Sequence, residues 1–125
     1  MSQNCYCCSG KNFSDCCEPL IAQKSLPETP EALMRSRYTA YVLQNADYLI
    51  ATTAKATRRF HNKTDILNWA KQNHWAKLEI LYAADDIVEF KAYYFNSKMQ
   101  LQIHHEKSQF VKENNHWKYL NFANS

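Results

Sequence analysis

Apolar positions change period partway along the chain, and that change organises it. Between Pro30 and Asn73 they recur at helical spacing; from Trp75 onward they alternate. The first helix is marked at its start, with Thr29 as N-cap, Pro30 in the first helical position and Glu31 at the positive end of the helix dipole. Over residues 32–43, Met34, Tyr38, Tyr41 and Val42 fall on one stripe, with Arg35 and Arg37 on its opposite edges. Asn45 is expected to close this helix. Residues 46–53 read as a second, shorter helix packing through Tyr48, Leu49, Ala51 and Thr52. A loop over 55–63 follows, and Thr64 is expected to cap a third helix over 65–73 with Ile66, Trp69 and Ala70 on one face.

In the second half, Leu78, Ile80 and Tyr82 alternate with Lys77, Glu79 and Leu81. Val88, Phe90, Ala92 and Tyr94 then alternate with Glu89, Lys91 and Tyr93. Asp85-Asp86, Asn96-Ser97 and Glu113-Asn114-Asn115 are turns, the Asn residues tolerating positive φ. Met99, Leu101 and Ile103 predict an inward odd phase for the third strand, whereas Phe110 requires an even one. Such a flip calls for a β-bulge within 104–108, which would bend the sheet. The last strand covers 117–122. The expectation is an α+β fold, three helices on a bent antiparallel sheet of about four strands, forming a cone with a cavity.

Ahead of this domain (31–125) lie a connector over 19–30, with Pro19, Pro27 and Pro30, and a cap over 1–18. The cap carries all five cysteines and the chain's one glycine, in Cys5-Tyr6-Cys7-Cys8-Ser9-Gly10-Lys11-Asn12-Phe13-Ser14-Asp15-Cys16-Cys17. Tyr6 and Phe13 are nearly its only apolar side chains, so it cannot build a core of its own. Cys5, Cys7, Cys16 and Cys17 form two close pairs able to supply the four soft ligands of tetrahedral Zn²⁺. Four thiolates would close the coordination shell, making the ion structural. Two disulfides would stabilise such a loop less than zinc does, and a bridge between adjacent Cys16 and Cys17 would be strained. A redox-active thiol cluster, or a thiol sensor centred on Cys8, is the competing expectation.

Composition narrows the class. Eight Tyr, six Phe and three Trp in 125 residues supply a real core and exclude disorder. A net charge of +3 without a Lys/Arg block gives no electrostatic case for nucleic acid or an anionic membrane. The first residues lack the basic and apolar regions of a leader, and no apolar run approaches membrane-spanning length. A cytoplasmic setting is expected, where clustered thiols are more often metal ligands than disulfides.

The motif Cys5-x-Cys7-x-Ser9-Gly10-Lys11…Phe13…Cys16-Cys17 resembles the SEC-C zinc motif known from the C-terminal tail of the SecA preprotein translocase. Leu33-Met34-Arg35-Ser36-Arg37-Tyr38-Thr39-Ala40-Tyr41, followed by Tyr48-Leu49 and Thr52, is similar to the signature of the YchJ-like family. These small bacterial proteins combine a SEC-C cap with a nuclear-transport-factor-2-like domain. His105-Glu106-x-Ser108-x-Phe110 and Trp117-x-Tyr119 are similar to that family's late strands. The resemblance implies the cone-shaped nuclear-transport-factor-2-like fold and a zinc knuckle. By analogy with the SecA tail, which contacts a chaperone and the ribosome, it also implies a protein partner at the knuckle. The family typically has glycine where this chain has Cys8. Some relatives end in a second SEC-C motif, and this chain reaches Ser125 without one.

For chemistry in the cone, His105, Glu106 and Arg35 form the candidate polar set of an isomerase- or dehydratase-like enzyme or a small-ligand receptor, with Ser108 beside them. The structural alternative is Glu106 ion-paired with Arg35 or Arg37. Arg58, Arg59, His61 and Lys63 are either an anion site at the cone's mouth or a solvated loop. Tyr38, Tyr41, Tyr48, Tyr94 and Trp69 are either core or pocket wall. The leading expectation is a non-enzymatic zinc-binding module for protein interaction or ligand binding, with no catalytic residue. An enzyme or receptor using the cavity is the alternative.

Overall fold

The chain folds around one helix that has almost no solvent face. The computed structural model describes residues 3–122, and the side chain of Phe122 is not part of that description. The outermost residues of the expected cap and cone domain (1, 2 and 123–125) lie outside the described residues. Helix α1 (Cys17–Ile21) comes first, and α2 (Pro30–Val42) is the central helix. Its start matches the sequence signal: Thr29 Oγ1 accepts from Ala32 N at 3.1 Å, and Pro30 opens the first turn. Leu33, Met34, Ser36, Arg37, Tyr38, Thr39 and Ala40 are all buried, so burial wraps the helix rather than following one stripe. Ser36 tolerates this by donating to Leu33 O at 2.7 Å and meeting the Tyr48 hydroxyl at 2.6 Å.

Gln44 leaves α2 in the left-handed region (φ 60°). Asn45, expected to close α2, instead caps α3 (Ala46–Ala51) by accepting from Tyr48 N at 3.1 Å. Helix α4 (Lys63–Gln72) is capped by Asn62 rather than Thr64, with Asn62 Oδ1 3.0 Å from Asp65 N. The described residues thus hold four α-helices where three were expected. The extra one, α1, runs from the end of the cap into the segment taken for a connector, and its first residue is the buried Cys17.

Strands β1 (His74–Ala84), β2 (Ile87–Phe95), β3 (Leu101–Glu113) and β4 (His116–Phe122) form one antiparallel meander in sequence order. Asn114 and Asn115 both take positive φ (52° and 67°), the geometry of a tight hairpin. In the turn after β2 the left-handed residue is Met99 (φ 59°), while Asn96 Oδ1 accepts from Lys98 N and Gln100 N. Val88, Phe90 and Ala92 face inward as their alternation predicts.

Strand β3 overturns one expectation. Met99, Leu101 and Ile103 are 66%, 54% and 53% exposed, while Ser108 and Phe110 are buried. Pairing with β2 runs unbroken from Phe95↔Leu101 to Ile87↔Gln109, so 104–108 contains no bulge. The inward phase is even throughout, and the apolar odd positions face solvent. Exposed apolar side chains of this kind are common. Register shifts occur elsewhere: in β1 between Trp75 and Lys77 and between Ile80 and Tyr82, and between β3 and β4 beside Gln109 and Phe110. These are the sites where bulges bend and twist the sheet.

Leu33, Met34 and Tyr38 of α2 pack on Leu78, Val88, Phe90, Ala92 and Phe110 of the sheet. Cys5, Cys7 and Cys17 belong to that same cluster. Backbone bonds from Ala54 N to Tyr119 O (2.7 Å) and from Tyr119 N to Thr52 O (2.8 Å) cover part of the β4 edge. Among the described residues no helix is long and apolar enough to cross a membrane.

Candidate functional site

The cap is a tight loop closed by an Asn4–Asn12 bridge and by Cys5 N donating to Lys11 O at 2.8 Å. Two left-handed residues turn it, Gly10 (φ 85°) and Cys8 (φ 65°). A non-glycine residue in that region is strained, which is the physical reason glycine suits the Cys8 position. A 3-10 turn, Phe13–Asp15, then delivers Cys16 and Cys17 to Cys5 and Cys7. The four sulfurs lie within 4.8 Å of one another and could hold a metal ion. Cys7 and Cys16 are 3.6 Å apart, Cys16 and Cys17 3.9 Å. Sulfurs placed about 2.3 Å from a central Zn²⁺ in a tetrahedron are separated by about 3.8 Å. The donor set fits.

The hydrogen bond from the Cys17 thiol pulls Cys7 down to about 4 against the opposing effect of burial, with smaller help from Ser9, Cys5 and Cys16. Its counterpart is that Cys17 is pushed up, by the bond to Cys7 and then by burial, and Cys16 is pushed up by burial. The cluster therefore favours the thiolate at Cys7, the form in which cysteine ligates a metal. Arg35, expected in the cone, serves this site. Its Nη1 donates to Cys7 O at 2.7 Å and its Nε to Glu31 Oε2 at 3.0 Å, tying the cap to α2. Cys8 is exposed and stands outside the sulfur cluster, its Sγ accepting from Leu78 N at 3.5 Å.

A second site is an open cavity of about 120 Å³ lined by α2, α4, the sheet and His61. One wall is aromatic: Trp69 meets Trp75 at 4.9 Å between ring centroids, and Tyr41 and Tyr94 pack on Trp75 at 5.5 and 5.1 Å. The Trp75 indole N–H is buried there without an acceptor. The other wall is polar and centres on Glu106. His104 Nε2 donates to Glu106 Oε1 at 2.9 Å, while Ser108 Oγ (2.5 Å) and the Tyr119 hydroxyl (2.8 Å) donate to Oε2. Burial pushes the Glu106 carboxyl up, but these three bonds together outweigh it and hold it below the ordinary carboxylate range. Burial, then the Glu106 charge, pushes the Tyr119 hydroxyl up. The Arg37 guanidinium lies over the Tyr119 ring at 4.6 Å, and burial draws it below its ordinary value. Burial and then Arg37 lower His61, which keeps that ring neutral at pH 7.

The structure therefore separates the residues that the sequence grouped. His105 points to the opposite face of β3, half-exposed, 2.7 Å from Glu89 Oε2. Adjacent strand residues face opposite ways, and there is no bulge to realign them. The expected ion pair of Glu106 with Arg35 or Arg37 is also absent among the described residues, since neither arginine comes within 4 Å of it. Of the loop cations, Arg58 donates to Thr53 O, Lys63 pairs with Asp47 at 2.7 Å, and His61 alone lines the cavity. Tyr38, Tyr41 and Trp69 are wall, whereas Tyr48 is core. His104 and Tyr119 were missed. The i, i+2 series His104, Glu106, Ser108, Phe110 could have found the first, because alternate strand residues share a face. Tyr119 reaches Glu106 only through the β3–β4 pairing, which no local pattern encodes.

Comparison with known proteins agrees with this geometry. Residues 29–121 match the family described as YchJ, middle NTF2-like domain. A UPF0225 protein of Actinobacillus succinogenes is 40% identical over 126 residues, spanning 96% of this chain and 81% of its own length. A UPF0225 protein of Haemophilus influenzae strain PittEE is 38% identical over 125 residues, with 96% and 78% covered. The solution structure of a SEC-C-motif-containing protein from Rhodopseudomonas palustris superposes with a TM-score of 0.92 at 35% identity, over 98% of this chain and 99% of that one. The crystal structure of a SEC-C-motif-containing protein from Psychrobacter arcticus gives 0.82 at 32%, over 98% and 84%.

Proposed function

The chain belongs to the YchJ-like family of SEC-C-motif proteins, and from that premise we propose that it is a zinc-braced binding module. A structural Zn²⁺ on Cys5, Cys7, Cys16 and Cys17 holds the cap, and the cone cavity receives a small ligand without transforming it. The observation that carries the non-enzymatic part is the way Glu106 is held: both of its oxygens accept hydrogen bonds. A general base needs a pKa near the working pH. Glu106 has both oxygens engaged by three donors and is held low. For the metal, the support is the fit of the sulfur spacing to zinc and a thiolate set that leaves no open coordination position. A reducing compartment such as the cytoplasm suits such a site.

The metal acts as a brace in this account. Three of its ligands sit in the same core as α2 and the sheet, and Arg35 ties the loop to α2. A protein partner at the exposed rim of the cap is compatible with the brace. A pull-down with and without residues 1–18 tests for one.

The binding function is tested on zinc-loaded protein, its metal content fixed by elemental analysis, in a thermal-shift screen of anionic, cationic and neutral small molecules. One zinc per chain and a raised Tm with at least one chemical class are expected. If no class shifts Tm, the cavity is a packing defect and the ligand-binding function is lost.

A further inference from the structure

Two charged groups share the cavity wall, and they differ in how their polar atoms are engaged. Both oxygens of Glu106 accept hydrogen bonds, from His104, Ser108 and Tyr119. Arg37 is 5% exposed and belongs to none of the ion pairs among the described residues. Its hydrogen bonds, to Leu49 O, Thr52 Oγ1 and Thr53 Oγ1, all leave Nη1. Nε and Nη2, the two N–H groups that make up the side-on fork of a guanidinium, have no hydrogen-bond partner among the described residues. They are not sealed in either, because the one buried side-chain nitrogen or oxygen left without a partner there is Trp75 Nε1. The fork is thus reachable, and Arg37 lines the cavity.

A buried guanidinium with no carboxylate in contact is costly even with the Glu106 charge on the same wall, and the group that fits its fork with two parallel bonds is a carboxylate. The rest of the cavity sets what that carboxylate is attached to. Tyr38, Tyr41, Trp69 and Phe90 supply flat apolar wall. The volume of about 120 Å³ is on the scale of a single six-membered ring. Resting on the binding-module function above, we propose that the cavity takes a small planar monocarboxylate of benzoate size, its carboxylate on the Nε–Nη2 edge of Arg37 and its ring against the aromatic wall. The Glu106 network remains intact beneath it, since that carboxylate already has its donors.

Calorimetric titration of the zinc-loaded full chain with benzoate, benzamide, benzylamine and acetate tests this. Benzoate is expected to bind at least tenfold tighter than benzamide, which has the ring without the charge. It should likewise exceed acetate, which has the charge without the ring, and benzylamine should bind weakest of the aromatic probes. Arg37→Lys keeps the charge but not the fork and should lose tenfold or more in benzoate affinity. Because Arg37 is a core residue, Trp69→Ala serves beside it. Trp69 is 38% exposed on α4, so less packing is lost there than at Arg37; with the fold checked by circular dichroism, benzoate affinity should fall several-fold while acetate is unaffected. Benzamide or benzylamine binding as tightly as benzoate, or benzoate not binding, overturns the proposal. The broader screen separates the two failures: a neutral or cationic hit there with no response to benzoate refutes the carboxylate and leaves the binding module standing.

Discussion

Glu106→Gln removes one charge from the cavity wall and changes almost nothing in size. The glutamine oxygen can keep the bonds from Ser108 and Tyr119. Its NH₂ then faces His104, whose ring can present a lone pair instead of a proton in the other tautomer. What is lost is charge assistance. A hydrogen bond to a charged group contributes about 1.5–3 kcal/mol net, a neutral one about 0.5–1.5 kcal/mol, so three bonds set an upper limit of about 3–4 kcal/mol. Against this, the amide avoids the desolvation cost of a buried ion. The depressed carboxyl decides the sign, since the folded state favours the ionised form in spite of burial. Glutamine should therefore destabilise at pH 7, by about 1–3 kcal/mol.

The pH dependence is the sharper signature. A carboxyl with a folded pKa below its unfolded value contributes stability that is present above the unfolded pKa, about 4.3, and is lost as pH falls through the folded one. Urea unfolding followed by circular dichroism from pH 7 to pH 3 should show the wild type losing this increment below about pH 4.5 while the glutamine chain does not. The gap between them should close with acid. Any loss of metal at low pH affects both chains and cancels in the difference. A gap within about 0.5 kcal/mol at pH 7, the range of ordinary surface substitutions, would refute the argument. So would a gap that persists undiminished at pH 3, because shape rather than charge would then be responsible.

Cys16→Ser should abolish stoichiometric zinc by elemental analysis and lower Tm steeply, because a structural zinc contributes on the order of 10 kcal/mol; full retention of zinc would remove Cys16 from the ligand set. Cys8→Gly should retain one zinc and change stability by no more than about 1 kcal/mol, relief of left-handed strain offsetting the flexibility of glycine in the unfolded chain. Thiol titration of the native zinc form should count one reactive thiol in the wild type and none in this variant; loss of metal would instead make Cys8 a ligand. Arg35→Leu removes a charged donor from Cys7 O and should cost about 1.5–3 kcal/mol, with faster proteolytic nicking in the cap; unchanged nicking would show that the tie is idle. Phe110→Ala, at a fully buried position, should cost about 3–5 kcal/mol in urea unfolding, and a cost below about 1 kcal/mol would contradict its place in the core.

What the sequence determined by itself was local. The switch from helical to alternating period placed the helices ahead of the meander, because each pattern is written in neighbouring residues. The Thr29-Pro30 start of α2 was legible for the same reason. So was the grouping of Cys5, Cys7, Cys16 and Cys17, which needs only two close pairs and a turn. The alternation in β2 told its inside face correctly, but tertiary structure decided it for α2 and β3. Arg35 and Arg37 stand about 200° apart on a helix, and either could have entered the cavity. The docked cap claims the face of Arg35, so Arg37 is the one left beside Glu106. In β3, apolar Leu101 and Ile103 pointed to an odd inward phase, but Ser108 and Phe110 are held inside by α2 and the neighbouring strands, and one strand without a bulge has one phase. His104 therefore joins Glu106, and His105 goes to solvent. Such choices are made by the partner surface an element meets, and that surface is assembled from residues far away in the chain.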